Sequence, residues 1–189
     1  MDLKKIFVVF LAAFFLASSA FALEVGGVNM PDTLKAAGTD LVLNGAGTRT
    51  KFFIKAYAGG LYLKEKSSDA PKIIDADEPM AVRLEITSGM VTSEKMESAV
   101  REGFENSTKG NIAPLKDKIE AFINIFKAKI NKGDIYEFFY VPGKGVEVYK
   151  NAALSSVLEG LDFKKALFGI WLGEKPAQKD LKEKMLGMK

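Results

Sequence analysis

Apolar positions recur along this chain first at strand spacing, then at helical spacing, and then at each again. "LEVGGVNMP" alternates loosely up to Pro31 and predicts a short strand followed by a turn. "DLVLNGAGTRTKFF" reads as a second strand carrying Leu41 and Leu43, and "FIKAYAGGLYLKEK" as a third, rich in aromatic and aliphatic residues. "SSDAPKIIDAD" is polar with a proline and fits a loop or a short helix. In "PMAVRLEITS", Met80, Val82, Leu84 and Ile86 share one parity, with Arg83, Glu85 and Thr87 on the other, the period of a half-buried strand.

The period then lengthens. Met96, Ala99, Val100, Gly103 and Phe104 recur at helical spacing, with Thr92 or Ser93 as cap, Glu94 in the first turn and Gly110 as stop. Leu115, Ile119, Phe122, Ile123, Phe126 and Ile130 predict a second helix of four turns, with Pro114 tolerated at its start. Lys116, Lys118, Lys127 and Lys129 fall mainly outside that stripe and read as solvated surface. "DIYEFFYVPGKGVEVYKN" predicts a hairpin around "PGKG", and "NAALSSVLEG" another strand after a turn near Asn151. "DFKKALFGIWLG" predicts a helix with Asp162 as cap and Gly173 as stop, and Pro176 opens a last amphipathic helix through Leu181 and Met185. Strands and helices in this order, without regular β-α-β alternation, point to an α+β fold with a mostly antiparallel sheet covered on one face.

The first 22 residues stand apart from that pattern. "MDLKK" is a basic start, "IFVVFLAAFFLA" an apolar run, and "SSAFA" ends in small-x-small with Ala20 and Ala22. The run is shorter than the about 20 apolar residues a spanning helix needs. It predicts a secretory signal cut after Ala22, leaving one domain over residues 23–189, with no stable membrane insertion after cleavage. Losing Asp2, Lys4 and Lys5 lowers the formal charge from +3 to +2. That is too weak an overall field to argue for nucleic acid or an anionic membrane. The chain has no cysteine and no histidine. Disulfides, Cys–His and Ser–His–Asp nucleophiles and the usual zinc ligands are therefore excluded, and no metal or cofactor is expected.

The stretch "NGAGTRTKFFIKAYAGGLYLKEK" carries the candidate chemistry. A dinucleotide fingerprint needs a third glycine and a following helix; position 50 is threonine and the next residues have strand composition, so a phosphate loop is excluded. Gly45 and Gly47 predict a β-bulge or a close approach of another backbone. Arg49 and Tyr57 lie eight residues apart, about 26 Å along one straight strand. They can act on one group only if the chain reverses between them, near residues 48–52. Trp171 reads as a core aromatic, Tyr62 as packing with its hydroxyl satisfied locally, and Lys55, at the parity of Tyr57, as solvent-facing or salt-bridged.

"GAGTR…FFIKAYAGGLYL" resembles the glycine-arginine-tyrosine signature of the chalcone isomerase-like superfamily. "ITSGMVTSEKMESAV" is similar to that family's entry into its central helices, and "LDFKKALFGIWLGEKPAQKDLKEKMLG" looks like the C-terminal signature of its secreted bacterial branch. The resemblance implies an open-faced β-sandwich: a large antiparallel sheet, a helical layer and a ligand cleft between them. It further implies a periplasmic location. Two chemistries follow from it. The plant enzymes cyclise a chalcone; their catalytic arginine falls on Arg49, but their threonine falls on Tyr57, their tyrosine on Thr92 and their helical asparagine on Ala99. The fatty-acid-binding relatives hold a carboxylate with an arginine and a tyrosine, which fall on Arg49 and Tyr57. The resemblance therefore favours an exported, non-catalytic binder of a fatty acid or similar small amphipathic carboxylate, with Arg49, Tyr57 and Thr92 as site residues. A phenolic ligand, an intramolecular lyase or isomerase acting on a hydroxylated enone through Arg49, and a structural protein with a closed cleft are the alternatives.

Overall fold

The computed structural model describes residues 23–188; the secretory signal predicted over residues 1–22 lies outside the described residues. Nine strands and five helices follow in the order β1 (Leu23–Val25), β2 (Val28–Met30), β3 (Thr33–Ala36), β4 (Thr39–Lys51), β5 (Ile54–Leu63), α1 (Ala70–Asp75), β6 (Met80–Ile86), α2 (Ser93–Ser107), α3 (Lys116–Asn124), β7 (Ile135–Val141), β8 (Gly145–Lys150), β9 (Ala153–Leu158), α4 (Leu161–Leu172) and α5 (Lys179–Met185). Strands β3 to β9 form one antiparallel sheet in sequence order, and β1 with β2 makes a separate hairpin. The fold is α+β, a large antiparallel sheet with its helices on one face, as the periodicity predicts.

The period of two in β6 decides which residues meet the helices. Met80, Val82, Leu84 and Ile86 join the main core, with Phe104 of α2, Phe122 of α3 and Phe163, Leu167 and Phe168 of α4. Phe122 is the hub of an aromatic cluster, 5.3–5.9 Å from the rings of Phe104, Phe126, Phe138 and Phe163. Helix α4 is buried on nearly all sides, which is why it is apolar all round rather than along one stripe. Even its Lys164 is buried. Its ammonium donates to the carbonyls of Ile73, Ile74 and Ala76, each at 2.8 Å, and so caps the C-terminal end of α1. Burial pulls the Lys164 pKa down to about 8.

The opposite face of the sheet is not bare. Val28 and Met30 of the N-terminal hairpin close a second, smaller cluster over Leu41, Leu43, Ala58, Tyr62 and Phe139. The Tyr62 hydroxyl lies 4.0 Å from the Met30 sulfur, the local partner expected of it.

Five elements differ from the sequence pattern. The segment "LEVGGVNM" is two strands around Gly26–Gly27, not one. Strand β3 falls in a stretch whose pattern predicted nothing; it is a short edge strand paired to β4. The predicted four-turn helix is a 3₁₀ turn (Ala113–Leu115) followed by α3, which ends at Asn124. Beyond it the bonds tighten to i→i−3, from Ile125 to Phe122 and from Phe126 to Ile123, and this turn swings Phe126 onto Tyr136 with ring centres 5.0 Å apart. Finally, α5 begins at Lys179, so Pro176 lies in a strap before the helix. Asp162 sits in the first turn of α4 rather than at its cap, which is Gly160.

Candidate functional site

Strands β4 and β5 form a hairpin whose two-residue turn is Phe52–Phe53. The chain thus reverses between Arg49 and Tyr57, and the register sets them directly opposite each other. Cross-strand partners hold their Cβ atoms about 5 Å apart. The geometric condition for both to act on one group is met.

Two irregularities aim this pair. Asn44 is the extra residue of a bulge between Leu43 and Gly45, and its buried amide bonds the carbonyls of Ser67 and Met185 and the Ser67 N–H, all within 2.9 Å. The glycines after it meet α5. A Cβ at Gly45 would overlap the Lys184 carbonyl, and one at Gly47 would lie 3.0 Å from the Lys184 Cβ. Bulge and close backbone approach, the two readings open from the sequence, occur together. A second register shift lies between Arg49 and Thr50, opposite Ala56. It breaks the parity between Lys55 and Tyr57: Lys55 is exposed and outside the cleft, while Tyr57 is buried in its wall.

The strap over residues 176–178 fastens the arginine. Arg49 Nη1 donates to the Ala177 carbonyl, Thr50 N donates to Gln178 Oε1 at 2.8 Å, and Gln178 Nε2 donates to the Thr48 carbonyl at 3.3 Å. Among the described residues no carboxylate pairs with Arg49, and the remaining donors of its guanidinium have no protein partner. Tyr57 receives a hydrogen bond from Trp171 Nε1, 3.0 Å away. Its oxygen is occupied as an acceptor, while its own proton has no acceptor among the described residues. Burial raises the Tyr57 pKa, against opposing effects of the Arg49 charge and the Trp171 bond, so the phenol stays protonated and donates. Trp171 is therefore both a core aromatic, stacked on Phe138 at 5.8 Å, and a member of the site. The sequence reading assigned it the first role only; "FGIWLG" carries no signal that its indole reaches β5.

Two neighbouring spaces share the pair as lining. An inner chamber of about 40 Å³ is lined by Leu84, Phe122, Phe126, Phe138, Ile170 and Trp171. A water needs roughly 10–15 Å³ of such space, so the aromatic cluster leaves room there for only a few atoms. An outer cleft of about 370 Å³ runs between the β4–β5 hairpin and the start of α2, past Ile54, Ala56, Met90, Val91 and Met96. Arg49, Tyr57, Met96 and Ala99 line both. Thr92 is not brought to this pair. It is exposed at the cap of α2, where its Oγ1 accepts from Lys95 N at 3.3 Å. Ala99, which falls where the plant enzymes have asparagine, offers the cleft only a methyl group.

The profile of the family described as chalcone isomerase-like matches residues 22–187. The chain belongs to the chalcone isomerase-like family. Among solved structures it is similar to the crystal structure of an Arabidopsis thaliana fatty-acid binding protein, AtFAP1, with a TM-score of 0.68 and 17% identity over 85% of this chain and 92% of that one. At that identity the likeness is one of fold. No curated protein matches the sequence.

Proposed function

We propose that this chalcone isomerase-like protein is an exported, periplasmic, non-catalytic carrier that holds a fatty acid or similar amphipathic carboxylate. The carboxylate sits between Arg49 and Tyr57, and the chain lies in the outer cleft against Ile54, Ala56, Met90, Val91 and Met96. The observation that carries this reading is the opposed pair itself: a guanidinium with no carboxylate partner and a protonated phenol with no acceptor among the described residues, both lining one mainly apolar cleft. A guanidinium and a phenol can share one carboxylate through charge-assisted bonds. The cleft has the size and apolar lining of a small-molecule site. The similar fold of the Arabidopsis fatty-acid binding protein supports the same ligand class, and the basic, apolar, small-x-small start of the chain supports export.

Equilibrium binding of a fatty-acid series to wild type and Arg49→Ala tests the reading. Affinity is expected to fall about tenfold to a hundredfold in the variant, the worth of hydrogen bonds to a charged group. Absence of binding, or binding indifferent to the arginine, would sink it.

A further inference from the structure

Four hairpin turns among the described residues have two central residues at positive φ: Gly26–Gly27, Ala37–Gly38, Phe52–Phe53 and Asn151–Ala152. That backbone is the signature of the type I′ turn, whose residues of choice are Asn-Gly, Asp-Gly and Gly-Gly. Three of the turns carry glycine or asparagine. The fourth carries two phenylalanines, at φ 50° and 64°, where a bulky side chain is strained. The two rings are scarcely buried in return: Phe52 is 81% and Phe53 103% exposed. Fold stability therefore does not account for them, and a partner that covers apolar surface does.

The surroundings say what kind of partner. Met90, 56% exposed, lies with Phe52 on the mouth of the cleft. Around this end of the sheet stand the exposed lysines Lys51, Lys55, Lys95, Lys127, Lys129 and Lys132. Local bonds hold their segments together. Thr87 Oγ1 donates to the Lys55 carbonyl, Ser93 Oγ to the Ala128 carbonyl, and Gly133 N to the Ile86 carbonyl. Lys51 also lies 5.9 Å over the Phe52 ring. Against them stands the exposed Glu94, while Asp134 is already paired with Lys150. Exposed aromatic rings at a hairpin tip, with lysines at the same end of the sheet, match a bilayer interface with anionic headgroups better than a protein surface of mixed charge. The small overall charge of the chain does not show this local excess of lysines over acids. No helix among the described residues is long and apolar enough to cross a membrane, so the contact is a docking one.

We infer that the Phe52–Phe53 tip docks the protein on an anionic lipid surface, with the mouth of the cleft facing that surface. The docking stands on the tip alone. Its role in loading an amphipathic ligand rests on the carrier reading proposed above.

Sedimentation with vesicles of phosphatidylcholine, with and without phosphatidylglycerol, tests it on residues 23–189, whose described part contains the whole sheet, every helix and both hydrophobic clusters. Wild type is expected to sediment with the phosphatidylglycerol vesicles and to be released by salt. Phe53→Gly is expected to weaken that partition about tenfold, the worth of one buried phenylalanine. The Phe52→Asn, Phe53→Gly double variant should weaken it further while its Tm stays level or rises, because Asn-Gly suits the turn. Loss of sedimentation therefore cannot be laid to misfolding. Wild type remaining in the supernatant, Phe53→Gly sedimenting like wild type, or a wild-type dimer that Phe53→Gly converts to monomer in light scattering would each overturn the inference. Decanoate binding in vesicle-free buffer keeps the two readings apart. Phe53, which does not line the cleft, is expected to leave it unchanged on substitution by glycine. If decanoate does not bind wild type, the carrier reading falls while the vesicle result still decides the docking.

Discussion

Tyr57 can serve a ligand because Trp171 already occupies its oxygen. The indole N–H donates to the phenol at 3.0 Å, orienting the hydroxyl so that its proton is left for an incoming acceptor. Burial holds that proton on by raising the pKa, which suits hydrogen-bond donation and opposes use as a base. In the proposed carrier the two residues would act as a unit, with Trp171 positioning Tyr57 and Tyr57 touching the ligand. Replacing Trp171 by Phe keeps most of the stacking on Phe138 but removes the donor. Ligand affinity is expected to fall about threefold to tenfold and stability by about 1 kcal/mol, the net worth of one hydrogen bond. Calorimetric binding together with a denaturation curve would read both. A stability loss with unchanged affinity would make the tryptophan a core residue only.

At the scale of elements, the site depends on how closely α5 lies on β4. Gly45 and Gly47 carry no side chain because the backbone and the Lys184 side chain of α5 occupy that space. The bulge at Asn44 is bonded to the C-terminal carbonyl of the same helix. The strap entering α5 holds Arg49 by its Nη1 and the neighbouring backbone through Gln178. Gly45→Ala is therefore expected to push the helix off the strand and cost about 1–3 kcal/mol, as overpacking does. It should also loosen Arg49 and weaken ligand binding, although residue 45 is outside the cleft. A chemical melt and a binding isotherm on the same sample would check this; an alanine accommodated without loss of stability would contradict the packing account. Helix α2 contributes in a similar way through Gly103, where a Cβ would lie 2.8 Å from Ile170. That close crossing seats the stretch of α4 carrying Ile170 and Trp171 against the inner chamber.

For the whole molecule, the sheet is a meander in which each strand neighbours the next in sequence, with α1, α2 and α3 inserted in the connections and α4 and α5 appended. Such an order places every strand by local pairing and leaves the helices one face to cover. Export belongs to this scale too. A cut after Ala22 predicts that the protein recovered from the periplasm begins at Leu23, which intact-mass measurement would show. Recovery in the membrane fraction with residues 1–22 attached would refute cleavage.

The alternation in β6 and the helical stripe of α2 were legible in the sequence because each is a local pattern imposed by a two-sided environment, and the existence of α4 was legible from its apolar run closed by Gly173. The family signature carried Arg49 and Tyr57 with them. The early end of α3 and the strand β3 were not legible, since a tertiary aromatic contact decides the one and pairing to a longer neighbour sustains the other. Sequence spacing alone likewise gave Lys55 the parity of Tyr57, although its solvent-facing reading holds, and left Trp171 in the core. Only the folded chain shows the bulge at Ala56 that parts the first pair and the indole that reaches across 114 positions to the tyrosine. By itself the sequence determined which residues could do the chemistry and the class of fold that holds them, because residue type and period are written in it directly. Which of those residues face one another, and what is left open between them, was decided by a hairpin register and by the approach of α4 and α5. Both are long-range packing events that no local pattern encodes.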